Sequence, residues 1–335
     1  MILVSSRLFS RHVTPPGHPE RVERAHVLDT VCSSWTLRGG AALAPRPATG
    51  EELARVHTQA HIDRMAATAS QAVMLDADTF TCPDSYEVAV LAAGATLRAA
   101  EHAIAEREPA FALVRPPGHH AEAHRAMGFC LFNNVAVAAA AMIARGLERV
   151  AIVDIDVHHG NGTQAMFYDD PRVLYVSTHQ FPFYPGTGAP EEIGAGEGRG
   201  FTVNAPMEAG STDADYELVH RELIAPVLDE FRPELVLVSA GFDAHERDPL
   251  ASMRMTTTGY ASVISQMRDT ANRHGALALV TEGGYELTAL AACLEASIAV
   301  LDGASPPSPS DGPAPRGARA VALARGALGA FWRGL

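Results

Sequence analysis

Cysteine and positive charge are both scarce in this chain. Its four cysteines, Cys32, Cys82, Cys130 and Cys293, are scattered without CxxC spacing. That pattern suggests neither a disulfide framework nor a cysteine-built zinc site. Basic residues number 26 against 39 acidic ones over 335 residues, a formal charge of -13. Direct binding to nucleic acid or to an anionic membrane surface needs a basic patch, so neither partner is expected and a neutral or cationic substrate fits more easily. No serine or cysteine lies in a nucleophile-elbow context, which disfavours an acyl-enzyme. The amino terminus, MILVSSRLFSRH, has a short apolar run and no cleavage-site pattern, and a cytoplasmic protein is expected from it. No internal repeat is visible, and the oligomeric state is left open.

Hydrophobic residues make up 47% of the chain, enough for a sizeable core. Apolar strand-like runs at Ile2 to Ser5, Phe111 to Val114, Val150 to Val153, Arg172 to Ser177, Phe201 to Asn204, Leu235 to Val238 and Leu277 to Thr281 alternate with helical patterns. The helices are expected at about 20–31, 51–56, 59–69, 85–106, 132–145, 213–230, 257–273 and 286–302. Alternating β and α predicts one α/β domain, a parallel sheet sandwiched between helices. Residues 36–50 and 180–200 read as loops, the second long enough to be functional. The catalytic unit is therefore read as residues 1–302, followed by a Pro/Ser-rich linker at 303–316 and a helical tail at 317–335 that packs back on the domain.

The densest chemistry lies in residues 150–164, VAIVDIDVHHGNGTQ. Val150 to Val153 have no polar alternation, as in a strand buried on both faces. The run then meets Asp154, Asp156, His158 and His159. One aspartate before a Gly-Asn-Gly turn would read as a helix cap. Two acids and two histidines at a buried strand end do not, because such charges are rare unless paired or metal-bound. If the extended geometry continues, Asp154, Asp156 and His158 project on one face. Other strand ends add Arg115-Pro116-Pro117-Gly118-His119-His120, an acid at Asp243, and Glu282-Gly283-Gly284-Tyr285, where the glycines read as a hinge for the phenol.

Asp156, His158 and Asp243 as three ligands leave coordination positions open, the arrangement of catalytic rather than structural zinc. One of the paired histidines can take a proton from water, and Tyr285 can donate to an oxyanion. The residues thus predict a hydrolase that uses direct water attack.

RPPGHHA at 115–121, GFCLFNN at 128–134, DIDVHHGNGTQ at 154–164, GFDAHERDPL at 241–250 and EGGY at 282–285 resemble the zinc-dependent histone deacetylase family, in its bacterial, class II-like branch. The resemblance implies the arginase/deacetylase fold, a single three-layer α-β-α domain around a mostly parallel eight-stranded sheet. It implies a metal-dependent amidohydrolase that removes acetyl or other short acyl groups from lysine side chains. The alternative is a deacetylase of acetylpolyamines or other small amides. A binuclear manganese enzyme shares the fold but would need second-metal ligands that are not found.

By motif, Asp156, His158 and Asp243 correspond to the zinc ligands, a site that iron(II) can also fill. His120 corresponds to the general base, His119 to its electrostatic partner and Asp154 to the acid behind His119. The resemblance also implies that Asn161 stands behind His120, where many class I members have an acid, and that Tyr285 is the oxyanion donor. Phe129 and Tyr184, with Gly128 beside them, correspond to the acyl-lysine tunnel, although phenylalanine is commoner at the second wall. Asp154, Asp156, His158, Ser177 and Thr178 resemble a potassium site, and Arg24 an arginine at the foot of the pocket. His159 is expected to be structural. Class I members carry an acidic rim residue where this chain has Thr81, and Asp78 nearby is a candidate replacement. Polyamine-selective relatives place a glutamate where Asp248-Pro249 is here followed by Leu250.

Overall fold

The computed structural model describes residues 1–335. Its strands are β1 (Ile2–Ser5), β2 (Ala41–Leu43), β3 (Val73–Met74), β4 (Phe80–Thr81), β5 (Ala110–Leu113), β6 (Val150–Asp154), β7 (Val173–Gln180), β8 (Thr202–Met207), β9 (Leu235–Ala240) and β10 (Ala276–Thr281). Eight of them form one parallel sheet in the order β2-β1-β5-β10-β9-β6-β7-β8. The other two, β3 and β4, pair as a small antiparallel hairpin outside the sheet.

The helices are α1 (Val22–Leu37), α2 (Gly50–Leu53), α3 (Gln59–Ala66), α4 (Ser85–Glu106), α5 (Asn134–Ala144), α6 (Asn161–Met166), α7 (Asp213–Val219), α8 (Ala225–Phe231), α9 (Thr257–Asn272), α10 (Leu287–Leu301) and α11 (Pro315–Leu328). A π-helical turn, His220–Ile224, joins α7 to α8, so the helix expected at 213–230 is continuous with a bulge in it.

The strands are apolar on both faces because both faces are covered. Leu3, Phe111, Val153, Leu174 and Val238 point to a core shared with α1 and α7 to α11. Ile2, Val4, Ala112, Ile152 and Leu237 point to the other side, under α4 and α5. α4 is long and apolar enough to cross a membrane, and its apolar residues are mostly buried in this core.

The structure differs from expectation at several element ends. β2 lies where a loop was expected, and the β3–β4 hairpin falls in a stretch for which no element was expected. β7 runs on to Gln180, which puts Thr178 on a strand. α1 starts at Val22 rather than Glu20. α11 starts at Pro315, inside the stretch read as linker, and lies on β8 and α7. Trp332 beyond it donates to the Gly200 carbonyl (2.8 Å) and packs against Phe201 and Phe231. The tail thereby covers the β8 edge.

Candidate functional site

Four neighbouring strands, β5, β10, β9 and β6, carry their carboxyl ends to one side of the sheet. Open α/β sheets place their sites there, because strand ends from distant sequence converge. The loop after β5 brings His119 and His120, β6 ends on Asp154, β9 leads to Asp243, and β10 leads to Glu282 and Tyr285.

Alternation along β6 does not extend as expected, since the strand stops at Asp154. The Asp154 carboxylate holds the turn that follows: its Oδ1 accepts from the Asp156 amide (3.1 Å) and its Oδ2 from Tyr175 Oη (3.3 Å). The same Oδ2 lies 3.0 Å from His119 Nδ1. Asp154 therefore faces the histidine pair, whereas Asp156 and His158 turn toward Asp243. The backbone bend is fixed by Asp156 Oδ1, which accepts from the His158 amide (2.9 Å).

Asp156, His158 and Asp243 each offer one donor atom, all within 4.8 Å of one another. His158 Nδ1 lies 3.2 Å from Asp156 Oδ1 and 3.2 Å from Asp243 Oδ2. Two buried carboxylates around a single imidazole nitrogen are left with surplus negative charge, and an oxygen–oxygen–nitrogen donor set suits a first-row divalent metal. The residues fit such an ion. Burial and the neighbouring Asp156 push the Asp243 carboxyl up to about 7, as expected where two acids share one place.

The paired glycines before Tyr285 have a tighter reason than a hinge. Gly283 donates its N–H to Asp156 Oδ2 (2.8 Å), and a Cβ at this position would run into the Asp243 carboxylate. Glycine lets the chain pass directly beneath the donor set. Gly128 (φ +56°) is the second such position, because a Cβ there would strike the His120 ring.

The two histidines are set apart electrostatically. Burial pulls the His119 pKa down, yet the Asp154 and Asp156 carboxylates more than offset this and hold it at about 10. Burial and the adjacent His119 charge push His120 well below the usual histidine value. An imidazolium and a neutral imidazole thus stand side by side, ring centroids 4.1 Å apart. His120 Nδ1 lies 2.8 Å from Asn161 Oδ1. That oxygen can only accept, so Nδ1 carries the proton and Nε2 is the basic nitrogen.

Tyr285 is buried under the rim. Its ring lies 5.8 Å from Phe129 and 5.0 Å from the Arg24 guanidinium. Arg24 Nε donates to the Gly284 carbonyl (2.7 Å), which places it behind the tyrosine loop as expected of a foot-of-pocket arginine. Tyr184 packs edge-on to His120 (5.2 Å) and His158 (6.1 Å), so Phe129 and Tyr184 border the donor set from two loops. Phe183 stacks on His158. Asp78 sits on the β3–β4 turn, where its side chain accepts from Thr79 Oγ1 (3.0 Å), and Thr79 in turn accepts from the Phe129 amide. Leu250 lines a rim cavity of about 620 Å³ with His18, Arg21, Glu23, Pro249 and Tyr285.

The potassium expectation concerns the β6–β7 end. Asp154 pairs with Ser177 in register, and Thr178 Oγ1 lies 3.4 Å from the Asp154 carbonyl. Ser177 Oγ is engaged by His179 Nδ1 (2.9 Å). His159 is tied to Thr187 and Gln164, away from the donor set.

Three acids escaped the sequence reading. Glu282 Oε2 accepts from the Gly118 and His119 amides (2.6 and 3.2 Å), which pins the histidine loop. Asp248 Oδ2 accepts from the Tyr285 amide (2.6 Å) and its Oδ1 from the Leu250 amide (3.0 Å). Glu20 joins Arg24 and Arg115 in the interior. Glu282 and Asp248 sit inside the motifs quoted above, where a buried acid was itself a signal.

Comparison with known proteins shows the family and the fold. Residues 18–301 match the family described as the histone deacetylase domain. A probable deacetylase of Archaeoglobus fulgidus is 41% identical over 285 residues, 83% of this chain and 79% of that relative. A histone deacetylase-like amidohydrolase of Pseudomonas aeruginosa is 41% identical over 304 residues, 87% of this chain and 79% of the relative. The crystal structure of the HDA15 HD domain aligns with a TM-score of 0.93 at 35% identity, covering 99% of this chain and 95% of that one.

Proposed function

The chain belongs to the histone deacetylase family and is a deacetylase, a hydrolase, and from that premise we propose that it is a zinc-dependent lysine deacylase. The observation that carries the reading is the convergence of Asp156, His158 and Asp243 beside a neutral His120 whose Nδ1 is fixed by Asn161.

Asp156, His158 and Asp243 would hold the ion. When bound, zinc supplies Lewis acidity, polarising the amide carbonyl and easing ionisation of water. His120 Nε2 takes the proton of the attacking water and later passes it to the leaving amine. His119, protonated and paired with Asp154, steadies the negative charge that grows nearby. Burial keeps the Tyr285 phenol protonated, its pKa raised well above the usual tyrosine value, so it donates to the developing oxyanion. Phe129 and Tyr184 grip the neutral methylene stem of the side chain. Oxygens at the β6–β7 end, from Asp154, Ser177 and Thr178, would take potassium in a structural role.

The rim favours an acyl-lysine peptide over an acetylpolyamine. Leu250 offers no charge, and the only formal charges lining its cavity are Arg21 and Glu23, which offset each other. A remote ammonium therefore finds no net negative charge in that lining, and a dedicated charge pairing can be worth a few kcal/mol when partly desolvated. The formal charge of -13 favours the polyamine reading, but it is diffuse and screened beyond about 10 Å at ordinary salt. The test is kcat/KM of zinc-loaded protein for an acetyl-lysine peptide and for acetylputrescine or acetylspermidine. The chain contains no lysine, so turnover reads only added substrate. A ratio below one would replace the lysine reading with the polyamine one, and Leu250→Glu should move the ratio toward the polyamine.

A further inference from the structure

Asn161 does not end the hydrogen-bond chain behind His120. Its Nδ2 donates to Glu122 Oε1 (2.9 Å), and the same oxygen accepts from Arg125 Nη2 (3.0 Å). The only other hydrogen-bond partner of Nδ2 is the weakly accepting Met127 Sδ, at 3.4 Å. We propose that Glu122 is a positioning residue for the general base, acting through Asn161 to select the His120 tautomer.

The chemistry lies in the symmetry of an amide. A carboxamide can present either its oxygen or its NH₂ to His120 by a half-turn of its end, and the two faces demand opposite tautomers. With Oδ1 inward, His120 must carry its proton on Nδ1, and Nε2 is left basic. With Nδ2 inward, Nδ1 becomes the acceptor and the proton moves to Nε2, where it blocks proton abstraction. An aspartate behind the histidine would have no such ambiguity, because a carboxylate only accepts. Glu122 removes it for an asparagine by offering the outer side of the amide a pure acceptor. Arg125 sharpens the requirement. Without the Glu122 carboxylate, its guanidinium would be the strongest group facing the outer side of the amide, and it would draw Oδ1 outward.

Glu122 is suited to be altered. Its side chain is partly exposed, and its loop is held by main-chain bonds that a side-chain change leaves intact. These are its amide to the Arg125 carbonyl (2.9 Å) and its carbonyl to His57 Nδ1 (3.1 Å).

The inference rests on His120 being the general base, and the experiment separates the two ideas. General acid–base catalysis is typically worth 10²- to 10⁴-fold, so a base held mostly in the wrong tautomer should cost about tenfold. Glu122→Gln is expected to lower kcat about tenfold at unchanged KM. In the Asn161→Asp background the same change should not lower kcat, since an ionised carboxylate behind His120 accepts whichever way it is turned, and Glu122→Gln removes the carboxylate that would repel it across the contact that Asn161 Nδ2 makes with Glu122 in the parent. Equal losses in both backgrounds, or no loss in either, would overturn the proposal. The tautomer is read without turnover from the ¹⁵N spectrum of histidine-labelled protein, with and without zinc, His120 being assigned from the His120→Gln spectrum. Parent protein should show the Nδ1–H form and Glu122→Gln a gain of the Nε2–H form. An unchanged tautomer overturns the role of Glu122. A changed tautomer with unchanged kcat overturns His120 as base instead.

Discussion

Glu20→Gln is the sharpest test of how the site is supported. Glu20 is fully buried, and its Oε1 accepts from Arg24 Nη1 (2.9 Å) and Arg115 Nε (2.5 Å). Its Oε2 makes no hydrogen bond and faces His12 Nε2 at 3.5 Å. Burial alone would raise the Glu20 pKa, but Arg115, His12 and Arg24 hold it well below the usual carboxylate range. Glutamine keeps the shape and one acceptor while it removes the only full negative charge bonded to two buried guanidinium groups. Breaking a buried pair in this way typically costs about 3–5 kcal/mol, against a total stability of about 5–15 kcal/mol. The sign with pH follows from the depressed pKa. The glutamate's stabilisation is present above its unfolded value and fades as pH falls toward the folded one, so the deficit of the variant should be largest at neutral pH and shrink below about pH 4. Urea denaturation at constant m-value measures it. Arg24 also loses its anchor behind Gly284 and Tyr285, so kcat should fall as well. A variant within about 1 kcal/mol of the parent at pH 7 would refute the reasoning.

Tyr285→Phe should keep its metal and lose about 10²- to 10³-fold in kcat, the usual effect of removing one oxyanion donor; near-parental turnover would remove the phenol from the reaction. Asp243→Ala should lose its metal on dialysis, because two protein ligands hold too little, and full zinc occupancy by elemental analysis would disprove the ligand set. His220 is held neutral by burial, its pKa pushed down to about 4. The unfolded chain takes up a proton from about pH 6.5 and the folded chain refuses it, so stability falls between about pH 6.5 and 4 by roughly 3 kcal/mol for this group. His220→Leu should flatten that decline in urea midpoints, and an unchanged slope counts against a neutral His220.

The sheet was legible because its inner strands are buried on both faces and carry unbroken apolar runs, as at Val150 to Val153 and Leu235 to Val238. β2 was not, since Ala41 and Ala42 lie exposed at the sheet edge and bear no pattern. The two-residue strands of the β3–β4 hairpin are too short to show any period. Within the site, residues standing in compact motifs were readable, including Asp156, His158, Asp243 and Tyr285. Asp154 lies behind His119 as its motif implied, but the alternation that put it on one face with Asp156 and His158 fails because it holds only while the strand lasts, and hydrogen bonds to its own carboxylate bend the chain after it. Glu20 was out of reach. Its meaning depends on Arg115, 95 positions away, and nothing in the local run of residues announces a buried partner.

The acids around the site divide by the partners they have. Asp154 has His119 and Tyr175, and Glu282 has two amides together with Ser239 Oγ. Asp248 has three amides, and Glu20 has two guanidinium groups. Each of these is a buried carboxylate with hydrogen bonds enough to remain inside the protein. Asp156 and Asp243 accept amides too, from His158, Gly283 and Val157, but the one imidazole between them must serve both. At the donor set the two carboxylates face His158, with His119 Nε2 3.8 Å from Asp156 Oδ1. Neighbouring carboxylates are already committed elsewhere, and the close carboxylates of Asp156 and Asp243, with His158 between them, form an oxygen–oxygen–nitrogen donor set that suits a divalent cation.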